Sequence, residues 1–351
     1  MAKEKMSLLL LNFLFVCGII FNISCNKNSY GNPQKPDKMV VLTEITAGDS
    51  ANIPIGRTWP AGSGNTIQFQ KIETVQAGIS SSNGSSETLV LNNAGDYLTN
   101  PMAVYSGTRP FQLNTTYTLS ASEQSLGSIT ATTTIPADFQ VQKTGTEKDD
   151  LNGKPVLRFN IVIQDAGDEK NYYLFESVKQ LATVSHFFSW QGQSYNYDTQ
   201  TGYDLYQQVK NNPGVSLSLD TILTQQFLRM NVYTKDSHTG NASMGSLDSS
   251  YHRIFIKDSL FNGQSYETEF MISMDHFKAL AGEQAGVVQV QVKSVSKELY
   301  DYLLQYEKYN QDFGNFSVSN LNSPVGNIQN GYGVFGGSVK KQWSYYYDPL
   351  Q

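Results

Sequence analysis

The chain has 351 residues, a net charge of −6 at pH 7 and only 16% charged residues, whereas aromatic residues make up 12%. No segment gathers lysine and arginine into a basic patch, and this argues against a nucleic-acid partner because phosphate binding requires clustered positive charge. Low charge combined with many aromatic and β-branched residues is typical of exported β proteins.

Residues 1–24 predict a lipoprotein signal peptide. Lys3 and Lys5 are followed by an apolar run from Met6 to Ile23, which is the charged start and short apolar core of a secretory signal. The alternative is a retained transmembrane helix. A run of about 18 residues would span roughly 27 Å, just short of the roughly 30 Å hydrocarbon core of a bilayer.

Cys25 is the predicted lipidation site. Ser24 is a small residue directly before it, as cleavage by a lipoprotein signal peptidase requires, although Asn22 stands where an aliphatic residue is usual. Cleavage there removes Cys17, so the mature chain has no disulfide and must rely on a large core. Acyl chains on Cys25 would tie the protein to a membrane, and the polar, proline-containing residues 25–37 predict a tether.

Residues 38–137 predict an immunoglobulin-like β-sandwich. Short strand-like segments begin at Met39 and recur between turn residues. The clearest pair, Thr116–Ala121 and Ser128–Ile135, predicts a hairpin, and about 100 residues of such strands are typical of a sandwich. Tyr117 has two interpretations: the tyrosine-corner residue of this fold, or an ordinary half-buried strand residue.

Residues 138–351 predict a larger β-rich domain with one packed helix. The polar segment 136–155 is interpreted as the connection between the domains. Val156–Ile163 and Tyr172–Val178 are predicted to form a second hairpin. The packed helix is predicted to begin after Ser296, a suitable cap that precedes an apolar stripe at helical spacing. The other predicted elements are a short helix at 199–212 and strands at 226–233, 251–256, 267–274, 286–295, 332–335 and 339–347.

No catalytic constellation is present in the sequence. The four histidines never lie at the i, i+4 spacing of a metalloprotease helix, and no nucleophile elbow occurs. Asp165, Asp168 and Glu169 offer the oxygen ligands that calcium prefers, but the same residues are typical of a hairpin turn. We therefore expect no enzyme, no metal and no cofactor.

Trp190, Tyr195, Tyr197 and Tyr203 form the candidate ligand-binding stretch, and Tyr206 lies close by. Tyrosine and tryptophan are enriched in binding patches because they are large, stiff and amphipathic. The alternative interpretation is ordinary packing within the fold.

Several segments, in one order along nearly the whole chain, resemble a known family. No single segment is specific, but the order is. It resembles that of the DUF4249 lipoproteins of Bacteroidetes. The segments are the strand Met39–Ile45, Tyr117-x-Leu119, Ala131-x-Thr133-x-Ile135-Pro136, the turn Asp165-x-Gly167-x-x-x-Asn171-Tyr172-Tyr173, Leu260-Phe261-Asn262-Gly263, Tyr300-x-Tyr302-Leu303 and the run from Ser323 to Phe335.

The resemblance implies an outer-membrane lipoprotein, often encoded beside a TonB-dependent receptor. It carries over no catalytic residues, because the family has no established activity. We therefore expect a non-enzymatic accessory or binding component of a TonB-dependent transporter. A stand-alone surface glycan- or peptide-binding lipoprotein is the second hypothesis, and a hydrolase is the third. The face of the outer membrane that carries the protein stays open.

Overall fold

The computed structural model describes residues 37–58, 69–92, 102–167, 170–243, 251–278, 285–314 and 325–347. The predicted signal peptide, Cys25 and nearly all of the predicted tether lie outside these residues, as do Asp168 and Glu169. Strands account for 61% and helices for 12% of the structure. The prediction of a mainly β, sandwich-like fold is therefore confirmed.

The strands and helices are numbered in chain order. The strands are β1 (Met39–Thr46), β2 (Ser50–Thr58), β3 (Phe69–Lys71), β4 (Gln76–Ser81), β5 (Ser86–Asn92), β6 (Ala103–Pro110), β7 (Thr115–Glu123), β8 (Gly127–Ile135), β9 (Gln140–Leu151), β10 (Lys154–Gln164), β11 (Tyr172–Trp190), β12 (Gln193–Asn196), β13 (Leu217–Met230), β14 (Val232–Tyr233), β15 (Ile254–Lys257), β16 (Ser265–Ser273), β17 (Ala285–Val295) and β18 (Tyr332–Tyr347). The α-helices are α1 (Gln200–Val209) and α2 (Lys297–Gly314).

The strands form two sheets. The large sheet follows the order β12-β11-β17-β18-β1-β2-β6-β5-β4-β7-β8, with β13 and β15 also paired to β11 and β3 paired to β2. The small sheet has the order β14-β16-β10-β9. β1 and β18 pair in parallel, from Val40 opposite Tyr332 to Thr46 opposite Ser338. One hydrophobic cluster runs through both predicted regions, and the division into domains at residue 137 stays a prediction.

The first part of the large sheet folds back on itself. β7 and β8 pair antiparallel from Thr115 opposite Ile135 to Glu123 opposite Gly127, so the predicted hairpin is confirmed. Val41 and Ile53 share a buried cluster with Leu119 and Ile129 of this hairpin. Tyr117 is buried, and its hydroxyl oxygen accepts a hydrogen bond from a backbone N–H five residues upstream at 2.7 Å. This geometry is that of a tyrosine corner and favours that interpretation of Tyr117.

The segment 136–155 is not a plain connection, and that interpretation was wrong. Gln140–Leu151 is strand β9, which pairs with β10 along nearly its whole length. β9 is the last strand of the small sheet, and its exposed and partly buried residues alternate. An edge strand with one solvated face can consist mostly of polar residues. The polar composition of β9 therefore resembled that of a loop.

The predicted hairpin of Val156–Ile163 with Tyr172–Val178 was also wrong. Both segments are strands, but β10 belongs to the small sheet and β11 to the large one. The two sheets pack face to face, and Phe175 of β11 stacks on Phe270 of β16 with ring centroids 4.0 Å apart. Alternating hydrophobicity marks the buried face of a strand but does not say whether its neighbour lies beside it or opposite it.

Helix α2 begins where the sequence predicts. The Ser296 hydroxyl accepts a hydrogen bond from the backbone N–H of Leu299 at 3.4 Å, which caps the helix. Leu299 packs directly over β18, where a Cβ atom on Gly336 would collide with its side chain. The short helix predicted at 199–212 is confirmed as α1. Neither described helix has the length and apolar content needed to cross a bilayer.

Candidate functional site

Strand β11 continues past its partner in the body of the sheet. Within the described residues, β17 pairs with β11 as far as Ala182, and β11 runs on to Trp190. There β12 pairs with it on one side and β13 on the other, and α1 follows β12 in the chain. We call residues 183–230 the arm and the rest of the described chain the body. It contains every residue of the predicted ligand-binding stretch.

The arm has its own small aromatic core. Phe188 is 1% exposed, and its ring lies 5.4 Å from the ring of Tyr195 and 5.2 Å from that of Tyr206, measured between centroids. The ring of Tyr197 lies 5.1 Å from that of Tyr206 and 5.4 Å from that of Tyr203. The structure therefore brings three of the four predicted site residues together, with Tyr206, between the β11–β12 hairpin and α1.

Trp190 lies apart from these rings. It ends β11 and pairs with Gln193 across a turn in which Gln191 and Gly192 have φ angles of 50° and 76°. Among the ring contacts of the described residues, none involves Trp190. Its half-buried side chain is thus carried on the hairpin turn, and a role in ligand binding stays a prediction.

His186 on β11 and Asp198, just before α1, form a hydrogen-bonded pair that links these two elements. The Asp198 carboxylate accepts a hydrogen bond from the backbone N–H of His186 at 2.7 Å and lies 2.8 Å from His186 Nδ1. The backbone hydrogen bond, followed by the ring contact, lowers the pKa of Asp198. Thr199 then caps α1 by accepting from the Gly202 N–H at 3.1 Å. Sequence reasoning missed this pair because its members lie on different elements.

The arm also exposes apolar side chains. Tyr203, Leu217, Phe227 and Leu228 are between 40% and 53% exposed. Within the described residues, β13 has β11 as its strand neighbour on one side and no strand on the other. A 14-residue strand with an open edge and exposed apolar side chains is a surface that another chain can cover.

A second cluster, which we call the charge cluster, is buried in the body. It consists of Glu44, Glu176, Arg253, Lys293 and Glu307. Glu176 is 2% exposed and forms an ion pair with Lys293. Its carboxylate also lies 3.3 Å from Arg253 Nε, and Lys293 Nζ lies 3.0 Å from Glu44. The cluster connects β1, β11, β17 and α2.

The charges of this cluster compensate each other. Burial opposes ionisation of Glu176, but Lys293, Arg253 and the nearby Arg229 of the arm hold its pKa at about 2. Burial likewise works against the charge of Lys293, yet the two glutamates that face it raise its pKa. Buried ions persist only when they are paired in this way. The cluster therefore ties elements together.

Two further buried ionisable groups, Lys179 and His276, lie close enough for their charges to interact. The ammonium group of Lys179 donates to the carbonyl oxygen of Lys278 at 2.7 Å. Burial, together with the charge of Lys179, lowers the pKa of His276 to about 4, so this histidine is neutral at pH 7.

Asp165 serves the turn that the sequence indicates. Its carboxylate accepts hydrogen bonds from the Tyr173 hydroxyl at 2.6 Å, the Asn171 side chain at 3.1 Å and the Gly263 backbone N–H at 2.8 Å. Among the residues that the structure describes, no three histidine, cysteine or acidic side chains are grouped for metal binding. Asp168 and Glu169, the other proposed calcium ligands, lie outside those residues.

These features define a class of protein: a mainly β, sandwich-like body that carries an aromatic arm. Comparison with family models then places the chain in one family. The model described as "Domain of unknown function (DUF4249)" matches residues 27–343, which is most of the chain. The protein belongs to the DUF4249 family.

Other comparisons add little. No curated protein sequence matches the chain. Among solved structures, the chain is similar to the Enterococcus faecalis MSCRAMM ACE, with 6% identity, 87% of this chain and 94% of that chain covered and a TM-score of 0.16. It is also similar to the B domain of a biofilm-associated protein, with 7% identity, coverage of 87% and 85% and a TM-score of 0.16. Likenesses at this TM-score carry no argument.

Proposed function

We propose that this chain is a lipid-anchored outer-membrane protein of Bacteroidetes and a non-enzymatic accessory or binding component of a TonB-dependent transporter. The observation that carries the proposal is the arm, which has exposed apolar side chains and, within the described residues, an open strand edge. The buried charges of the same protein are engaged with each other. The arm would be the part that contacts the transporter or its ligand.

The anchor would keep the body close to the transporter. The tether runs from Cys25 to Asp37, and the first strand begins at Met39. A flexible chain of about 12 residues has a root-mean-square reach of roughly 20 Å. A tether of this length would keep the body near the bilayer, within reach of a neighbouring membrane protein.

The arm has the features of a contact surface. The exposed apolar side chains of β13 stand near both of its ends: Leu217 is its first residue, and Phe227 and Leu228 lie near its last. Within the described residues this strand has an open edge, whose backbone groups an extended segment of a partner can satisfy. Phe227 and Leu228 lie on β13 and point to opposite faces of the sheet, since side chains alternate along a strand. A partner seated on this edge could therefore contact both.

The charge cluster supports a role without catalysis. A general acid or base must reach the reacting atoms of a substrate. Glu176 and Lys293 are instead buried and form an ion pair with each other. Glu307 accepts a hydrogen bond from the His252 backbone N–H at 2.7 Å. These groups hold strands and helix together.

The proposal is tested on the full-length protein, affinity-tagged at its C-terminus and expressed in a Bacteroidetes host. After detergent extraction of the outer membrane, intact-mass analysis is expected to show an N-terminal acylated Cys25. Quantitative proteomics is expected to show a TonB-dependent transporter in near-stoichiometric amount. Cys25→Ala is the matched control and should lose both the lipid and the transporter. A retained Met1, an unmodified Cys25 or the absence of any transporter contradicts the proposal.

A stand-alone glycan- or peptide-binding lipoprotein is the second candidate. It is favoured by Tyr203, which is 44% exposed, and by Trp190 on the adjacent hairpin turn. Glycan and peptide arrays probed with the full mature chain carrying Cys25→Ala would reveal binding, which Tyr203→Ala and Trp190→Ala should abolish. Tyr346→Ala, at a 79% exposed position outside the arm, is the control. Binding that survives both arm substitutions would exclude this candidate.

A further inference from the structure

A hollow lies at one end of the β1–β8 sandwich, separate from the arm. β2 begins and β6 ends beside it, at the opposite end of β1 from Lys38, where the tether joins. The hollow has a volume of about 250 Å³. A more polar hollow of about 490 Å³, lined by the β1–β2 turn, shares Phe111 as a common wall. This end of the sandwich therefore has room for a small ligand.

The floor of the smaller hollow is apolar and rigid. Ala51, Ile79, Phe111 and Tyr117 line it, and each is at most 7% exposed. The rings of Phe111 and Tyr117 meet edge to face, with centroids 4.9 Å apart and planes at 84°. Such a floor favours a ligand with an apolar or C–H-rich body.

The acceptors around the hollow are already in use. One oxygen of Glu87 accepts hydrogen bonds from the Thr108 backbone N–H at 2.7 Å and the Thr108 hydroxyl at 2.9 Å, and the other accepts from the Arg109 backbone N–H at 3.3 Å. These bonds, the Thr108 backbone bond first, lower the pKa of Glu87. The side-chain oxygen of Gln112 accepts from the Asn83 amide at 2.8 Å.

The side-chain N–H groups of Gln112 and Arg109, in contrast, make no hydrogen bond within the described residues. With its oxygen engaged by Asn83, the Gln112 carboxamide keeps two N–H groups to donate. The Gln112 backbone is itself fixed by its hydrogen bond to the Tyr117 hydroxyl. Arg109 lines the hollow together with Glu87. Within the described residues its guanidinium makes no hydrogen bond or salt bridge, but its charge acts on the Glu87 carboxylate and helps to lower the pKa of that group. A ligand that suits these side-chain donors must bring hydrogen-bond acceptors, and a carboxylate supplies them to a guanidinium most effectively.

We propose that this hollow binds a small organic acid. The carboxylate lies against the Arg109 guanidinium and the Gln112 carboxamide, and the body of the ligand rests on the apolar floor. A planar guanidinium suits a carboxylate because it can donate two parallel hydrogen bonds. The volume fits a molecule the size of one amino acid or one sugar, so the acid is the C-terminal residue of a peptide or a sugar acid. This inference does not depend on the arm or on the transporter.

The test uses the full mature chain with Cys25→Ala and three probes: N-acetyl-L-leucine, its uncharged amide and D-glucuronate. Amide chemical shifts followed by NMR should map binding to residues that line the hollow, with dissociation constants in roughly the millimolar range. Removing the charge from the ligand, or from the protein by Arg109→Gln, should weaken binding about tenfold, because charge-assisted hydrogen bonds are the stronger kind. Lys210→Gln, which removes an equal charge from an exposed position next to α1, should leave binding unchanged.

A preference for N-acetyl-L-leucine would assign the site to peptide C-termini, and a preference for D-glucuronate would assign it to sugar acids. Three results would overturn the inference: no shifts from either acid at about 20 mM, which is well above a millimolar dissociation constant; equal binding of the acid and its amide; or unchanged binding in Arg109→Gln. Because Arg109 is exposed, this variant is expected to keep its thermal stability, and its melting curve verifies the fold.

Discussion

The charge cluster and the aromatic core of the arm are built in opposite ways. In the charge cluster, Glu176 and Lys293 are almost wholly buried, and each of them faces more than one opposite charge. In the arm, Phe188 is buried while Tyr203 on the same core is 44% exposed. Buried charges that face opposite charges hold the fold together, whereas an exposed ring such as Tyr203 keeps a surface that another molecule could contact.

The largest expected effect comes from breaking the charge cluster. Lys293→Met removes the closest partner of Glu176 and leaves a buried carboxylate poorly compensated. We expect the free energy of unfolding to fall by about 3–5 kcal/mol. Urea unfolding followed by circular dichroism measures it. Lys340→Met is the matched control, since Lys340 lies opposite Lys293 on β18 and its side chain is 38% exposed. An equal loss in both variants would show that burial of the charge is irrelevant.

The buried His276 predicts a dependence of stability on pH. Burial and Lys179 lower its pKa from 6.5 to about 4, so the unfolded chain binds a proton more readily than the folded one. The stabilisation is complete above pH 6.5 and is lost as the pH falls towards 4, by up to about 3 kcal/mol. Urea unfolding at pH 7 and pH 4.5 should show this fall, and His276→Phe should reduce it. If the free energy of unfolding of His276→Phe fell with pH as steeply as that of the wild type, His276 would not be the cause.

Phe188→Ala should act locally, because Phe188 belongs to the arm and not to the main hydrophobic cluster. A buried phenylalanine truncated to alanine costs about 3 kcal/mol or somewhat less where the site can relax. Hydrogen exchange should accelerate throughout 186–209 and stay unchanged in β1 and β18. Faster exchange across the whole body would show that the arm and the body unfold as one unit.

Tyr117→Phe should have the smallest effect of the stability variants. It removes the hydroxyl that accepts a hydrogen bond from the Gln112 N–H, which is worth about 1 kcal/mol. The ring contact with Phe111 is retained. Thermal unfolding of this variant beside the wild type measures the difference. If Tyr117→Phe lowered the stability as much as Lys293→Met, the Tyr117 hydroxyl would do more than hold the tyrosine corner.

Much of the fold could be predicted from the sequence, because strands with one buried face alternate and helix α2 carries its cap and stripe within 12 residues of each other. What failed was the pairing of elements. β9 looked like a loop, since an edge strand can be polar, and β10 with β11 looked like a hairpin although they face each other across the core. The parallel pairing of β1 with β18 joins the two ends of the described chain, and no local pattern encodes it.

The aromatic stretch was predicted, but which of its residues pack against each other and which lies on the turn was not. Spacing alone could not show that Tyr195 and Tyr197 pack on Phe188 and Tyr206 while Trp190 sits on the turn. The charge cluster was missed altogether, because its members come from distant strands. One local signal was available: Glu176 is a lone charge in the apolar run Tyr172–Val178, and such a charge needs a buried partner.

The central claim is that the arm contacts the transporter. The double substitution Phe227→Lys and Leu228→Lys tests it most directly. These positions are 53% and 40% exposed, so the fold should tolerate the change. The measurement is the amount of TonB-dependent transporter recovered per lipidated molecule from native membranes. We expect a fall of about tenfold or more, as for the loss of a central contact, and no fall for Val90→Lys, a 68% exposed position on β5. An unchanged recovery in the arm variant, or an equal loss in Val90→Lys, would contradict the account.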